Sequence, residues 1–67
     1  MSEYSVFIKY DPNDKIYVAN IPELPGCMAH GSTREQALKE IEIAKELWIE
    51  TAIEDGQPVP EPDLLVV

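Results

Sequence analysis

The stretch Thr33–Asp55, with the sequence TREQALKEIEIAKELWIETAIED, carries the clearest structural signal of the chain. Its apolar residues recur at helical spacing and form one broad stripe: Ala37, Ile41, Ala44, Trp48 and Ala52, widened by Leu38, Leu47 and Ile49. Glutamates and lysines fill the opposite side of the predicted helix: Glu35, Lys39, Glu42, Glu46, Glu50 and Glu54. This pattern is typical of a helix that packs one face on a core and exposes the other to water.

Both ends of the helix have recognisable cap residues. Thr33 and Gln36 have the spacing of a capping box, and Ser32 with Glu35 offers the same arrangement one residue earlier. Gly56 is a natural stop, because glycine adopts the left-handed conformation that ends many helices. We therefore predict a helix from about Thr33 to about Asp55.

Two β-strands precede the helix and are predicted to form a hairpin. The alternation in residues 4–10 places Tyr4, Val6, Ile8 and Tyr10 on one face, as in a half-buried strand. Residues 16–21 are rich in β-branched and aromatic side chains and predict a second strand. The connection Asp11–Lys15 has turn chemistry, since Pro12 fixes φ and Asp11 can accept hydrogen bonds from the local backbone.

A proline-containing loop leads from this hairpin to a third strand. Pro22–Gly26 cannot continue a central strand, because its two prolines lack the N–H donor. Cys27–His30, closed by Gly31, then predicts a short strand, and Asp63–Val67 predicts a last one. The last strand either returns to the sheet or pairs with another subunit. The expected fold is α+β, a small antiparallel sheet in β-β-β-α-β order with one helix on one face.

The composition restricts the classes of function. Sixty-seven residues, 1–67, make a single domain, and 13 acidic residues against 5 basic ones give a formal charge of −8. Binding to nucleic acid needs cations that neutralise phosphates, so we expect no direct nucleic-acid contact and favour a basic protein partner. A single cysteine cannot form an internal disulfide, and a core this small is weak, so we expect a homo-oligomer.

Neither the N-terminus nor any apolar run predicts a targeting signal or a membrane span. The start Met1-Ser2-Glu3 is acidic, unlike the basic start of a signal peptide. The apolar runs are much shorter than the roughly 20 residues that a spanning helix needs. We therefore expect a cytoplasmic protein that makes no contact with membranes.

The residue types that carry catalysis are scattered. His30 is the lone histidine and has no nucleophile placed beside it by any spacing rule, and Cys27 has apolar neighbours that raise a thiol pKa. Asp11 follows the first strand, where a metal-dependent nuclease could hold a carboxylate, but such a site needs two or more converging carboxylates. We expect no catalytic, cofactor or metal site and therefore no enzyme; a remnant nuclease using Asp11 is the least favoured hypothesis.

Two isoleucines stand outside the apolar stripe of the helix. Ile43 and Ile53 lie among the glutamates, which favours contact with another chain. Trp48 lies in the middle of the stripe, where a core position over the sheet is the simpler interpretation, although tryptophan is also enriched at interface hot spots. We name Glu35, Glu42, Ile43, Glu46 and Glu50 as the candidate partner-binding residues.

Several segments taken together resemble the N-terminal domain of the HicB-type antitoxin family. The shared motifs are Asp11-Pro12, Tyr17-Val18-Ala19, Ile21–Cys27, His30–Thr33, Glu35, Ala37-Leu38, Ala44, Leu47-Trp48 and Gly56–Pro62. The resemblance implies a degenerate ribonuclease-H-like sheet with one helix, self-association, and a non-catalytic role in which the protein neutralises a small basic HicA-like RNA-cleaving toxin. Family members typically add a C-terminal DNA-binding segment, which is not expected in a chain that stops at Val67.

Two functional hypotheses follow. In the first, the chain is an acidic binding module that masks the surface of a HicA-like toxin. In the second, it is a structural homo-oligomer without a toxin. A neighbouring gene for a small basic protein would favour the first hypothesis, and its absence the second.

Overall fold

The structure, a computed structural model, describes residues 4–61 as three strands followed by one helix. The strands are β1 (Phe7–Asp11), β2 (Ile16–Asn20) and β3 (Met28–Gly31), and the helix is α1 (Arg34–Glu54). The sheet is antiparallel in the order β1-β2-β3. The predicted α+β fold is therefore confirmed for the described part of the chain, whereas the predicted strand Asp63–Val67 lies outside the described residues.

The hairpin between β1 and β2 forms at the predicted turn. Asp11 Oδ1 accepts hydrogen bonds from the backbone N–H of Asn13 at 2.9 Å and of Asp14 at 3.4 Å. The turn ends with Lys15 at φ 55°, a left-handed conformation that is uncommon for a side-chain-bearing residue. The first strand begins at Phe7 rather than Tyr4, and the hairpin register pairs Ile8 with Ala19.

The loop between β2 and β3 inserts a leucine into the core. Leu24 is 0% exposed, and its N–H donates to the Ile21 carbonyl while its own carbonyl accepts from the Cys27 N–H. Ile21 also donates to the Cys27 carbonyl at 3.1 Å, which closes the loop. Because Cys27 completes this closure, β3 begins one residue later than predicted and includes Gly31.

Both predicted caps of α1 are present. The Gln36 N–H donates to Thr33 Oγ1 at 3.0 Å, which makes Thr33 the N-cap. In return, Gln36 Oε1 accepts from the N–H of Ser32, one residue before the usual partner in a capping box. At the other end, Gly56 at φ 70° and Gln57 donate to the carbonyls of Ile53 and Ala52, the two bonds of a Schellman motif.

The helix packs chiefly on β3 and next on β2, and this narrow platform limits what it buries. Ala37, Ile41 and Ala52 are buried, and Ile49 is half-buried against the core, as predicted. Leu38 and Leu47 were predicted to widen the buried stripe, and this was wrong, since both are exposed, Leu47 by 62%. β3 is the outermost strand on its side, so no described strand lies beyond it to cover Leu47.

Trp48 connects the helix to the proline loop. Its indole Nε1 donates to the Pro25 carbonyl at 2.9 Å, and its ring packs beside the core as a half-buried side chain. This agrees with the simpler interpretation of the residue as structural. In the described part of the chain, α1 is too polar to span a membrane.

Candidate protein-binding surfaces on the helix

Four of the five candidate residues share one side of α1. Glu35, Glu42, Glu46 and Glu50 are seven, four and four residues apart, a spacing that aligns side chains along a helix, and all four are exposed. We call these four residues the acidic flank. The structure therefore brings the predicted glutamates together in one row.

Two lysines, Lys39 and Lys45, lie at this row, and Lys45 forms an ion pair with it. Lys45 Nζ donates to Glu42 Oε2 at 2.8 Å. That hydrogen bond is the main cause of the raised pKa of Lys45, and the charges of Glu42 and Glu46 raise the pKa further against the opposing effect of partial burial. Exposed pairs of this kind contribute about 0.2–1 kcal/mol. Within residues 4–61, neither Glu46 nor Glu50 forms a salt bridge, so no ion pair balances the glutamates at this end of the acidic flank.

The other side of α1 borders an open groove. All four residues of β3 line it together with Gln36, Glu40, Ile43, Ala44 and Leu47 from the helix, and its volume is about 700 Å³. Consecutive strand residues point to opposite faces of a sheet. A groove lined by all four therefore includes the free edge of the strand, and Ile16 of β2 and Ser32 line it at the end of β3. We call it the β3 groove; among the described residues, Glu40 is the one acidic residue that lines it.

The two exposed isoleucines of α1 lie on different sides. Ile43 is 56% exposed and lines the β3 groove. Ile53 is 65% exposed and, seven residues after Glu46, lies beside the acidic flank. Ile43, three residues before Glu46 and seven before Glu50, therefore borders both the acidic flank and the β3 groove, whereas Ile53 borders the acidic flank.

A second cavity of about 590 Å³ adjoins the β3 groove, with Met28, Ala44 and Leu47 contributing to both. Its walls are largely apolar, with Trp48 and the prolines at positions 25, 58 and 60. Tyr4 fixes one of these walls, because its hydroxyl donates to the Pro60 carbonyl at 2.6 Å. Cys27 lies beneath this cavity as a buried thiol, and burial raises its pKa, so the residue behaves as a small hydrophobe.

The residues considered for catalysis lie apart from one another. His30 is an exposed residue of β3, and Asp11 accepts the hydrogen bonds of the hairpin turn. Within residues 4–61, no three His, Cys, Asp or Glu side chains come close enough to hold a metal ion. The arrangement offers charge and apolar surface for contact with another macromolecule.

The β3 groove was not predicted from the sequence. It depends on which strand ends the sheet and on how far the helix extends beyond that strand, and neither follows from local patterns. The exposed Ile43 was the available signal, since an apolar residue outside the stripe indicates a second contact surface.

Comparison with known proteins identifies the family. Residues 4–66 match the sequence profile of the HicB_like antitoxin of bacterial toxin-antitoxin system. A UPF0150 protein of Thermoplasma acidophilum is 38% identical over 58 residues, which cover 87% of this chain and 83% of that protein. Two UPF0150 proteins of Synechocystis are 50% and 48% identical over 44 and 50 residues, which cover 66% and 75% of this chain.

The matched region spans only 60% and 63% of the two Synechocystis proteins' own length. The profile match, in contrast, extends over nearly the whole of this chain and includes every strand and the helix described above. The chain therefore belongs to the family of HicB-like antitoxins of bacterial toxin–antitoxin systems.

Proposed function

We propose that this protein is an antitoxin that binds a small basic HicA-like RNA-cleaving toxin and blocks it by covering its surface, without catalysis. Membership of the HicB-like antitoxin family supports the general role. The observation that carries the choice of surface is the acidic flank, a row of exposed glutamates on one side of α1. A toxin that binds RNA needs a cationic surface, which such a row complements.

The acidic flank is disfavoured on grounds of helix stability alone. Glu42, Glu46 and Glu50 are spaced four apart, and like charges at this spacing destabilise a helix by about 0.2–0.5 kcal/mol per pair. Lys45 offsets part of this repulsion through its ion pair with Glu42 and its charge interaction with Glu46. A cationic partner would relieve the rest, which gives the row a reason to exist in a binding protein.

Ile53 supplies an apolar contact next to the charges. Interfaces gain most of their affinity from buried apolar anchors, whereas charges mainly accelerate association and select the partner. An exposed isoleucine beside the glutamates at positions 46 and 50 provides both kinds of contact within one surface. We expect the charges to steer the toxin and Ile53 to slow its dissociation.

A charge-reversal experiment tests this surface. The double variant Glu46→Lys/Glu50→Lys should slow association with a HicA-like toxin about tenfold or more at low salt, and the difference should vanish near 1 M salt. The control is Asp14→Lys/Glu40→Lys, which makes the same change in net charge from exposed carboxylates outside the acidic flank.

Equal effects from both double variants would contradict the proposed surface, because total charge rather than position would then set the rate. Failure of the unmodified chain to bind any small basic protein encoded beside its gene would contradict the antitoxin role itself. That second result would favour the structural homo-oligomer.

A further inference from the structure

A continuous trough follows the free edge of β3. It consists of the β3 groove and the adjoining second cavity, which share Met28, Ala44 and Leu47 and which we call the Trp48 cavity. We propose that this trough binds an extended segment of a partner protein, paired antiparallel with β3. The bound segment places apolar side chains beneath α1 and basic residues at the Trp48 cavity. This inference concerns a surface other than the acidic flank and does not depend on the toxin.

The backbone of β3 is available for such pairing. Among residues 4–61, no strand pairs with β3 on the side away from β2. Ile21 donates to the Cys27 carbonyl, so Cys27 bonds toward β2, and the bonding direction alternates along an antiparallel strand. Met28 and His30 therefore direct their N–H and carbonyl groups outward. Proteins commonly block a free edge with lysine or proline, and the sequence Met-Ala-His-Gly of β3 contains neither.

The side-chain pattern of a bound segment follows from this pairing. Residues that pair across a sheet lie on the same face. Ala29 packs against the core beneath α1, so a partner residue opposite Ala29 points to the helix side. Ile43 and Leu47 line the groove on that side and are 56% and 62% exposed, so they offer apolar contacts. The segment therefore needs an apolar side chain at every second position.

The direction of α1 distinguishes the two ends of the trough. α1 begins shortly after β3 ends and runs back along it, since Gln36 lies against Gly31 and Leu47 lines both cavities with Met28. An antiparallel partner strand therefore enters at the Gly31 end and leaves at the Trp48 cavity. Antiparallel pairing continues the arrangement of the sheet and is slightly more stable per residue than parallel pairing.

Charge at the Trp48 cavity selects basic residues for the last positions of the segment. Asp55 lines this cavity, and Glu54 follows Leu47 by seven residues on the same side of α1. Among the described residues, no lysine or arginine lines either cavity, whereas Glu40 adds a carboxylate to the β3 groove. Lys39 precedes Leu47 by eight residues, about 12 Å along the helix toward the other end of the trough. A cationic residue after the last apolar position therefore meets carboxylates.

A peptide titration with the full-length chain tests this site. The probe is the fluorescein-labelled peptide Thr-Val-Thr-Val-Thr-Leu-Lys-Lys, in which apolar residues alternate with threonines and two lysines follow. Fluorescence anisotropy should give a dissociation constant on the order of 10–100 µM. The same peptide with both lysines replaced by glutamates should bind at least tenfold more weakly, because its end would meet like charges.

Methylation of the peptide backbone separates strand pairing from apolar adhesion. In the proposed register the third and fifth residues, both threonines, pair with His30 and Met28, and N-methylation of these two removes their hydrogen bonds to β3 and should abolish binding. N-methylation of the two valines is the matched control, because their N–H groups point away from β3, and the affinity should stay within threefold. The amide hydrogens of Met28 and His30 should also exchange at least tenfold more slowly in the complex, which NMR measures.

Two variants of the chain locate the bound peptide. Leu47→Lys should weaken binding at least tenfold, whereas Ile53→Lys, with the same charge at an equally exposed residue, should change it less than threefold. Circular dichroism verifies that both variants remain helical. Absence of binding by the unmodified chain up to about 1 mM peptide would overturn the proposal and leave the trough to a second copy or to the residues after Glu61. Equal binding of the two methylated peptides, or equal weakening by the two variants, would also overturn it.

Discussion

The two exposed sides of α1 hold the same residue type in different surroundings. Ile43 and Ile53 have similar exposure, yet Ile43 borders a nearly neutral groove at a free strand edge, whereas Ile53 lies beside a row of glutamates. Exposure alone does not distinguish the two residues. Their neighbours do: Ile43 has the edge of β3 and an open groove on one side, whereas Ile53 has no strand beside it among the described elements.

This separation follows from the narrow sheet. A helix over two or three strands buries one stripe and leaves both of its sides in water. One side overhangs the edge of β3 and gains backbone hydrogen-bonding groups as neighbours, while the other side has only its own side chains. The following predictions test how independent the two sides are.

The largest effect is expected at a buried residue that holds both exposed sides of α1 in place. Ile41 is fully buried under the centre of α1, and Ile41→Ala should lower the free energy of unfolding by about 2–5 kcal/mol through lost burial and a residual cavity. Urea denaturation measures this change. Toxin binding should weaken as well, because the core holds α1 in place; toxin binding at full strength would show that the acidic flank does not depend on this core.

Gly31→Ala should affect the groove side first. A Cβ at this position would lie 2.6 Å from the Ala37 backbone nitrogen, so β3 and the start of α1 must move apart. Overpacking of this kind costs about 1–3 kcal/mol. We expect the thermal midpoint to fall, while the association rate with the toxin changes little because the acidic flank lies away from Gly31; an unchanged thermal midpoint would contradict the close approach.

Thr33→Ala should slightly lower the stability of α1, and the effect on its two exposed sides should be equal. The Thr33 hydroxyl accepts the Gln36 N–H at the start of α1, and loss of such a cap costs about 1 kcal/mol. Thermal unfolding monitored by circular dichroism at 222 nm measures the loss. Thr33→Ser, which retains the hydroxyl, is the control and should remain close to the unmodified chain.

The smallest expected effect is a gain in folding stability rather than a loss. Glu50→Lys replaces a repulsive pair with Glu46 by an attractive one in the favourable order, and should stabilise the folded chain by about 0.5 kcal/mol at low salt. High salt should remove the gain. If the same variant also slows association with the toxin, the acidic flank favours binding and lowers stability. A variant less stable than the unmodified chain would contradict the predicted repulsion between Glu46 and Glu50.

Local patterns predicted most of the fold. The helix ends at Thr33 and Asp55, the turn at Asp11 and the proline loop each depend on neighbours in the sequence, and the structure has them where they were expected. Leu47 shows where this reasoning fails. Its helical position is apolar and close to the stripe, but its burial depends on whether the sheet extends beneath it, which is a long-range property.

The candidate site was predictable to a similar degree. The spacing of the glutamates at positions 35, 42, 46 and 50 is sufficient to align them on a helix, so the acidic flank follows from the sequence once the helix is assigned. The β3 groove could not be predicted from the sequence, because it forms between β3 and α1 and depends on how these two elements pack. Ile43 was identified as unusual, and only the tertiary structure indicates which surface it belongs to.

The hydrogen bond from Trp48 to the Pro25 carbonyl gives the protein a built-in optical reporter. The chain has a single tryptophan, so its intrinsic fluorescence comes from one indole held between α1 and the proline loop. Separation of the helix from the loop would break that bond and admit water to the ring, which shifts indole emission to longer wavelength. Titrations of folding and of binding near this end of the helix can therefore be followed without an added label.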